Sequence, residues 1–169
     1  MITLYGLSIS SSGTYQTIYE KIVSTYSNSN GYFEINFSRK NLYSLIIEAY
    51  YENFFVTKKE IDINIFNKNN EVELILEMHP KTWLNICIKN LPPFSQDDQL
   101  YFNLNYDYKC DVCCHKMSRK FVGIEIDTNW FCEIYSYNKV IMSWGYENNF
   151  YLDTIYALPF DTIAKKIFY

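Results

Sequence analysis

Glu71-Val72-Glu73-Leu74-Ile75-Leu76-Glu77-Met78 is the stretch of sequence that decides the fold class. Its apolar residues alternate with three glutamates, and Ile75 is the single exception. A strand that buries one face and exposes the other requires this period of two, because successive side chains point to opposite sides. The pattern therefore predicts a half-buried β-strand over residues 71–78.

The same alternation recurs along most of the chain, between stretches rich in Ser, Asn and Gly. Such spacing is typical of an all-β protein with a meander or Greek-key order of strands. Residues 11–24 also place Tyr15, Ile18, Tyr19 and Ile22 at helical spacing, but we favour a loop that enters a strand. We predict further strands at 2–7, 21–25, 32–37, 43–49, 55–63, 82–88, 100–106, 121–127, 131–137, 139–144, 150–155 and 162–168.

Proline marks the joints between groups of strands, because it cannot donate to a central ladder. Pro80 follows the strand predicted at 71–78, and Pro92 follows the strand predicted at 82–88. We place a domain boundary near Pro80, which gives domains at 1–79 and 80–169. Within the second domain, Tyr137-Asn138-Lys139 predicts a tight hairpin turn in which Asn138 takes a positive φ.

The composition indicates a folded domain and disfavours several classes of partner. Hydrophobic residues make up 49% of the 169 residues and charged residues only 20%, which leaves ample apolar surface to bury. The net charge of -4 offers no basic field for phosphates, so we expect no nucleic-acid binding. No apolar run reaches the roughly 20 residues that a membrane-spanning helix needs. We predict a chain without a membrane span.

A polar turn, Ser27-Asn28-Ser29-Asn30-Gly31, runs directly into the alternating segment Tyr32-Phe33-Glu34-Ile35. Gly31 suits a positive φ at the end of the turn, after which Phe33 and Ile35 point to the core. With the later segment 42–51, this region resembles the carboxypeptidase regulatory-like domains, in which a Thr-Asp-x-x-Gly-x-Phe turn precedes a strand. Ser27 and Asn28 stand where that family prefers Thr and Asp, and Tyr50 stands where it prefers Gly.

The resemblance covers residues 1–79 and implies a transthyretin-like (prealbumin-like) sandwich that lacks the family's opening strand. The expected fold is thus all-β, with two small antiparallel sandwiches of transthyretin- or immunoglobulin-like kind in tandem. The family is common in exported proteins and lipoproteins of Bacteroidetes-type bacteria. The resemblance therefore implies a periplasmic or cell-surface location, with a cytoplasmic location as the alternative. Met1–Tyr5 has neither the basic nor the apolar region of a signal peptide, so we expect any export signal or lipid anchor in a precursor.

The second domain concentrates the reactive side chains in Cys110-Asp111-Val112-Cys113-Cys114-His115. In an oxidising compartment we expect a disulfide within Cys110, Cys113 and Cys114, or from one of them to Cys132. The alternatives are reduced structural thiols and a zinc site built from Cys110, Cys113, Cys114 and His115. Five cysteines leave at least one unpaired, and Cys87 and Cys132, which fall on predicted strands, are candidates for small buried apolar residues.

The sequence offers no recognisable catalytic constellation or cofactor motif. His79 and His115 have no Ser and Asp relay around them, and the five glycines form no phosphate-binding loop. We therefore predict a protein that is not an enzyme and uses no cofactor.

Aromatic side chains are the remaining candidates for recognition, because flat rings stack on sugars and anchor protein partners. The residues that we single out are Trp83, Trp130, Trp144, Tyr108 and Tyr146. The sequence thus predicts a non-catalytic binding or adaptor module of an exported protein, which engages a protein or glycan. The alternatives are a structural spacer, an inhibitor or immunity protein, and a metal or thiol protein centred on residues 110–115.

Overall fold

A computed structural model describes residues 1–39, 41–67, 71–92 and 95–169, and its architecture is all-β. Over the described residues the only helix is a short 3₁₀ turn at Ile63–Asn67, and no helix is long and apolar enough to cross a membrane. The strands are β1 Ile2–Ser8, β2 Glu20–Thr25, β3 Leu42–Ala49, β4 Thr57–Ile61, β5 Lys81–Lys89, β6 Gln99–Tyr106, β7 Met117–Val122, β8 Asp127–Tyr135, β9 Lys139–Tyr146, β10 Asn149–Tyr156 and β11 Thr162–Phe168.

The chain divides into two compact units, Met1–Met78 and His79–Tyr169. The boundary that the sequence predicts near Pro80 falls next to this division. Each unit has its own cluster of buried apolar side chains.

The first unit is built on one antiparallel sheet, which we call sheet A, with the strand order β2-β1-β3-β4. One face of sheet A carries the core of the unit, formed by Ile2, Leu4, Leu45, Ile47, Ala49 and Ile61. The register pairs Leu4 with Ile47 and Ile2 with Ala49, so these side chains lie side by side across the two central strands. Branched aliphatic residues favour such half-buried positions.

Two predicted strands of the first unit are wrong in one respect. Residues 32–37 and 71–78 are extended, but among the described residues neither segment joins a β-ladder. Their side chains alternate as predicted, with one set packed over the core of sheet A and the other exposed. The alternation of apolar and polar residues predicts which side chains face a core, but it does not predict whether the backbone pairs with another strand.

The connecting loops of the first unit agree with two sequence predictions. Residues 11–19 form turns and extended loop without a helix before β2 begins at Glu20. Gly31 has a φ of 83°, and the Asn28 side chain accepts hydrogen bonds from the Asn30 and Tyr32 backbone N–H groups. The polar turn therefore delivers Phe33 and Ile35 to the core side.

The second unit packs two sheets around one core. Sheet B has the order β10-β9-β6-β7 and sheet C the order β11-β5-β8. The core takes alternate residues from both sheets, and its fully buried members include Leu84, Ile86 and Ile88 of sheet C and Phe102, Leu104 and Met142 of sheet B. This is the arrangement of a β-sandwich, in which two inner faces interdigitate.

The connectivity of the second unit corrects three expectations. The pairing of β11 with β5 is parallel, so sheet C is mixed and not purely antiparallel. Residues 136–138 do not close a hairpin, because β8 lies in sheet C and β9 in sheet B, and Tyr137 takes the positive φ instead of Asn138. The strand predicted at 121–127 is interrupted, since β7 ends at Val122 and Gly123 turns with a φ of 98°.

Candidate binding site on sheet B

Four of the five cysteines form disulfides, Cys110–Cys113 and Cys114–Cys132. The first closes a short loop, and the second ties that loop to β8. The Tyr106 hydroxyl donates a hydrogen bond to the Cys114 carbonyl, which fixes the loop to β6 as well. The cysteine cluster therefore acts as a staple in this structure.

The oxidised sulfurs bear on the alternative of a zinc site. Cysteine binds a metal ion through its thiolate, and the sulfurs of a disulfide are not thiolates. Among the described residues, no three His, Cys, Asp or Glu side chains are grouped to hold a metal ion. His115 is exposed, and Cys87 is the free cysteine, half-buried on β5.

Three of the five aromatic candidates belong to the inner side of the sandwich. Trp130, Trp144 and Tyr146 pack against the core of the second unit. Arg119 lies over the Trp130 ring and Lys165 over the Trp144 ring, with the cations 5.5 and 4.8 Å from the ring centroids. These rings are half-buried, and Tyr146 also lines a cleft that is described below.

The other two aromatic candidates, Tyr108 and Trp83, are not among the side chains packed against the core. Tyr108 belongs to a column of stacked rings with Tyr106 and Tyr135, and His79 stacks on Tyr135 with the centroids 4.2 Å apart. Burial raises the pKa of Tyr108 above its ordinary value. Trp83 is half-buried on β5. The structure does not bring the five predicted aromatics together on one face.

A different set of side chains forms an exposed face on sheet B. The register places Phe150 of β10, Gly145 of β9 and Tyr101 of β6 in one row across three adjacent strands. Phe150 is 70% exposed and Tyr101 is 53% exposed. Because neighbouring strands are about 4.8 Å apart, the two rings flank Gly145 at a separation of about 10 Å. Gly145 thus forms the bare floor between two aromatic side chains.

A cleft opens at one end of this row. It has a volume of about 320 Å³ and includes Tyr101, Gly145 and Tyr146 in its lining. The acidic residues Asp97, Asp98 and Glu147 also line it, and among the described residues no Lys or Arg does. We refer to the cleft and the row Phe150-Gly145-Tyr101 together as the sheet B site.

Hydrogen bonds hold a negative charge in the cleft. The Asn90 amide donates to Asp98 at 3.0 Å and the Ser95 backbone N–H donates at 2.8 Å, which lowers the pKa of Asp98 from its ordinary value. Burial, with the negative charges of Glu147 and Asp98, raises the pKa of Tyr146. Asp98 is therefore ionised at neutral pH, and the cleft presents a negative potential.

A second, more open cleft of about 460 Å³ lies beside the disulfide loop. Its charged lining residues have both signs, with Asp107 and Asp111 opposed by Lys109 and Lys116. Charges of both signs largely cancel in this cleft, whereas the described charged residues that line the cleft at Tyr101 are all negative. A charged ligand is therefore attracted less strongly to the second cleft. The sheet B site is the stronger candidate for recognition.

The sequence contained a signal for this site that we did not use. In the second half of β9 the large residues Met142, Trp144 and Tyr146 alternate with the small residues Ser143 and Gly145, which assigns Trp144 to the inner side. The same parity assigns Gly145 to the outer side. What the sequence could not supply is the register that sets Phe150 and Tyr101 on either side of it.

A scan against protein-family models and a search of the curated proteins both return no match for this chain.

Proposed function

We propose that this protein is a non-catalytic binding module that recognises a protein partner through a Lys or Arg side chain received by the sheet B site. The observation that carries the proposal is a cleft lined by Asp97, Asp98 and Glu147 that opens beside Gly145 and the Tyr101 ring. Carboxylates form charge-assisted hydrogen bonds with ammonium and guanidinium groups, which are about twice as strong as neutral ones.

The exposed rings extend the contact area beyond the cleft. Tyr101, Phe150 and Leu152 are at least half exposed, and they supply apolar area next to the negative cleft. Recognition sites on proteins commonly combine an aromatic anchor with a charged group at the rim. Lys120 lies 5.3 Å from the Tyr101 ring centroid, so one face of that ring already has a cation beside it.

The two disulfides support an exported location for the module. Disulfides persist in oxidising compartments and are rare in reducing ones. The likeness of residues 1–79 to carboxypeptidase regulatory-like domains points the same way. We therefore propose a periplasmic or surface protein of that kind, in which the sandwiches carry recognition and no catalysis.

The experiment is a titration of isotopically labelled protein with three capped tripeptides, in which Gly flanks Lys, Arg or Glu. We expect saturable shifts of the amide resonances of Tyr101, Gly145 and Glu147 with the Lys and Arg peptides and none with the Glu peptide. The double variant Asp97→Asn, Glu147→Gln removes two of the three carboxylates and should weaken the response strongly. The control variant Asp107→Asn, Asp111→Asn removes two carboxylates from the other cleft and should leave the response intact.

Two outcomes would contradict the proposal. One is the absence of saturable shifts with either cationic peptide, which would favour the spacer alternative. The other is a response that survives in Gly145→Val, because two methyl groups would then fill the floor of the proposed site.

A glycan-binding module is the second candidate, favoured by the flat row of Phe150, Gly145 and Tyr101. Sugar rings stack on exposed aromatic faces, and a glycine between two rings leaves the strip unobstructed. An oligosaccharide array distinguishes the two candidates. Binding that is lost in Phe150→Ala and retained in Asp97→Asn, Glu147→Gln would replace the cationic partner with a glycan.

A further inference from the structure

Two extended segments that join no ladder among the described residues form the second layer of the first unit together with the 3₁₀ turn at Ile63–Asn67. Phe33, Ile35 and Phe37 from one segment, and Leu74, Leu76 and Met78 from the other, pack over the core of sheet A. The intervening residues are exposed, as on the outer face of a sheet. The segments therefore have the side-chain arrangement of strands in the second sheet of a sandwich.

Their backbone groups are largely unpaired within the described part of the chain. The carbonyl of Tyr32 accepts from Asn28, and the Glu77 carbonyl accepts from the Thr57 hydroxyl at 2.7 Å. Among the described residues, no backbone N–H of 33–37 or 72–78 donates a recorded hydrogen bond. Extended backbone with free N–H and C=O groups is a template for another strand.

From this arrangement we infer that residues 72–78 accept an extended peptide of a basic partner protein, which adds as a β-strand. In β-augmentation, main-chain hydrogen bonds supply affinity, and alternate side chains supply specificity. The added strand would direct apolar residues toward sheet A at every second position. This inference concerns the first unit and does not rest on the function proposed for sheet B.

Charge determines the chemistry of the partner. Glu34, Glu71, Glu73 and Glu77 all lie on the exposed side of the two segments. None of them takes part in an ion pair with another described residue. Opposite charges that face each other across neighbouring strands are favourable, and like charges are unfavourable. The outward positions of the added strand are therefore Lys or Arg.

The test uses the full chain carrying Gly145→Val, so that the acidic cleft of the second unit is blocked. The probe is a capped eight-residue peptide in which Lys and Val alternate. The two controls are a peptide in which Glu and Val alternate and a peptide with the same Lys and Val residues in two blocks. We expect saturable binding of the alternating Lys peptide by calorimetry and affinities about tenfold or more lower for both controls.

Deuterium exchange of the complex locates the peptide. We expect new protection at residues 72–78 and none at the edge strands β2 and β4. The double variant Glu73→Lys, Glu77→Lys should reverse the preference toward the Glu peptide. The matched variant Glu52→Lys, Glu60→Lys changes the charge equally, elsewhere in the first unit, and should keep the original preference.

Three results would overturn the inference. Equal binding of the block peptide would show charge attraction without strand pairing. Protection at β2 or β4 would assign the peptide to an edge of sheet A. A dimer that protects 72–78 without any peptide would make a second copy of the chain the occupant.

Discussion

The two units both bury one core of apolar side chains, but they differ in how the layers around that core are hydrogen-bonded. In the second unit, both layers of the sandwich are hydrogen-bonded sheets, and a disulfide from Cys114 to Cys132 fixes a loop to the sandwich. In the first unit, sheet A is hydrogen-bonded, but its cover is formed by the 3₁₀ turn and by two extended segments, 33–37 and 72–78, which join no ladder among the described residues. Both units bury their apolar side chains, but over the described residues only the second unit pairs the backbone of both layers into sheets.

This difference shows that burial and pairing are separable. A side chain needs only to lie against a core to gain about 25 cal/mol per Å² of buried apolar area. A backbone donor also needs a partner, which water can supply at a surface. The first unit therefore offers a place for another strand, and the second offers a finished face for side-chain recognition.

The largest expected effect on stability comes from removing the Phe102 ring from the core of the second unit. Phe102 is fully buried between sheets B and C, so Phe102→Ala should lower the free energy of unfolding by about 3–5 kcal/mol. Urea denaturation followed by tryptophan emission measures this unit, because all three tryptophans lie in it. The neighbouring exposed residue gives the control, and Tyr101→Ala should cost less than about 1 kcal/mol. Equal losses would contradict the assignment of the two faces.

The second effect concerns the covalent staple, which only the second unit possesses. Cys114→Ser with Cys132→Ser should destabilise this unit by about 3 kcal/mol, because a cross-link over a loop of this length restricts the unfolded chain. Urea midpoints by tryptophan emission give the measurement. Cys87→Ser, at the free cysteine, serves as the control and should change stability by less than about 1 kcal/mol. A double variant as stable as the wild type would show that the staple contributes nothing.

Substitution of glycine by alanine should change the stability in opposite directions at Gly6 and Gly145. At Gly6 a Cβ would meet Ile22 and Leu42 at 2.7 and 2.8 Å, so Gly6→Ala should destabilise the first unit by about 1 kcal/mol. At Gly145 the nearest atom, the Asn149 carbonyl oxygen, would be 3.5 Å away. Gly145→Ala should therefore stabilise the second unit by about 0.5 kcal/mol.

Thermal unfolding by circular dichroism tests the Gly6 variant, and tryptophan emission in urea tests the Gly145 variant. A destabilised Gly145→Ala would contradict an open cleft floor. Unchanged stability in Gly6→Ala would contradict the close approach of β2 and β3 to β1.

The smallest effect is a pH dependence in the second unit. Because the folded-state pKa of Asp98 is lowered, its ionised form adds stability above the ordinary aspartate pKa of about 3.9. That contribution is lost as the pH falls through the lower folded-state pKa. Asp98→Asn should have a lower urea midpoint than the wild type at pH 7, and the gap should narrow toward pH 3. Parallel pH profiles would contradict this role of Asp98.

The sequence predicted local properties best, namely which side of a segment is buried and where a glycine takes a positive φ. Alternation over 71–78 correctly predicted which side chains face the core, and Gly31 correctly predicted a positive φ. The all-β fold follows from the same period of two, and the structure confirms it. These properties depend on local sterics and on the sidedness of a segment.

The remaining features depend on partners that a sequence does not identify. The link between β8 and β9 looks like a hairpin turn because it has only three residues and contains Asn138, yet it passes from sheet C to sheet B. The rings Tyr101 and Phe150 come together through register across Gly145, and they are 49 positions apart in the chain. The sequence marks Trp144 as a candidate binding residue, but in the structure its side chain packs against the core.

The central claim is that segments 33–37 and 72–78 pack alternate side chains over sheet A while their backbone joins no ladder among the described residues. Hydrogen–deuterium exchange of the intact protein tests it most directly. Amides in paired, buried strands exchange slowly, and exposed unpaired amides exchange fast. We predict slow exchange for β1, β3, β5 and β6 and fast exchange for residues 33–37 and 72–78. Protection of 72–78 equal to that of β1 would show a formed ladder and would contradict the account.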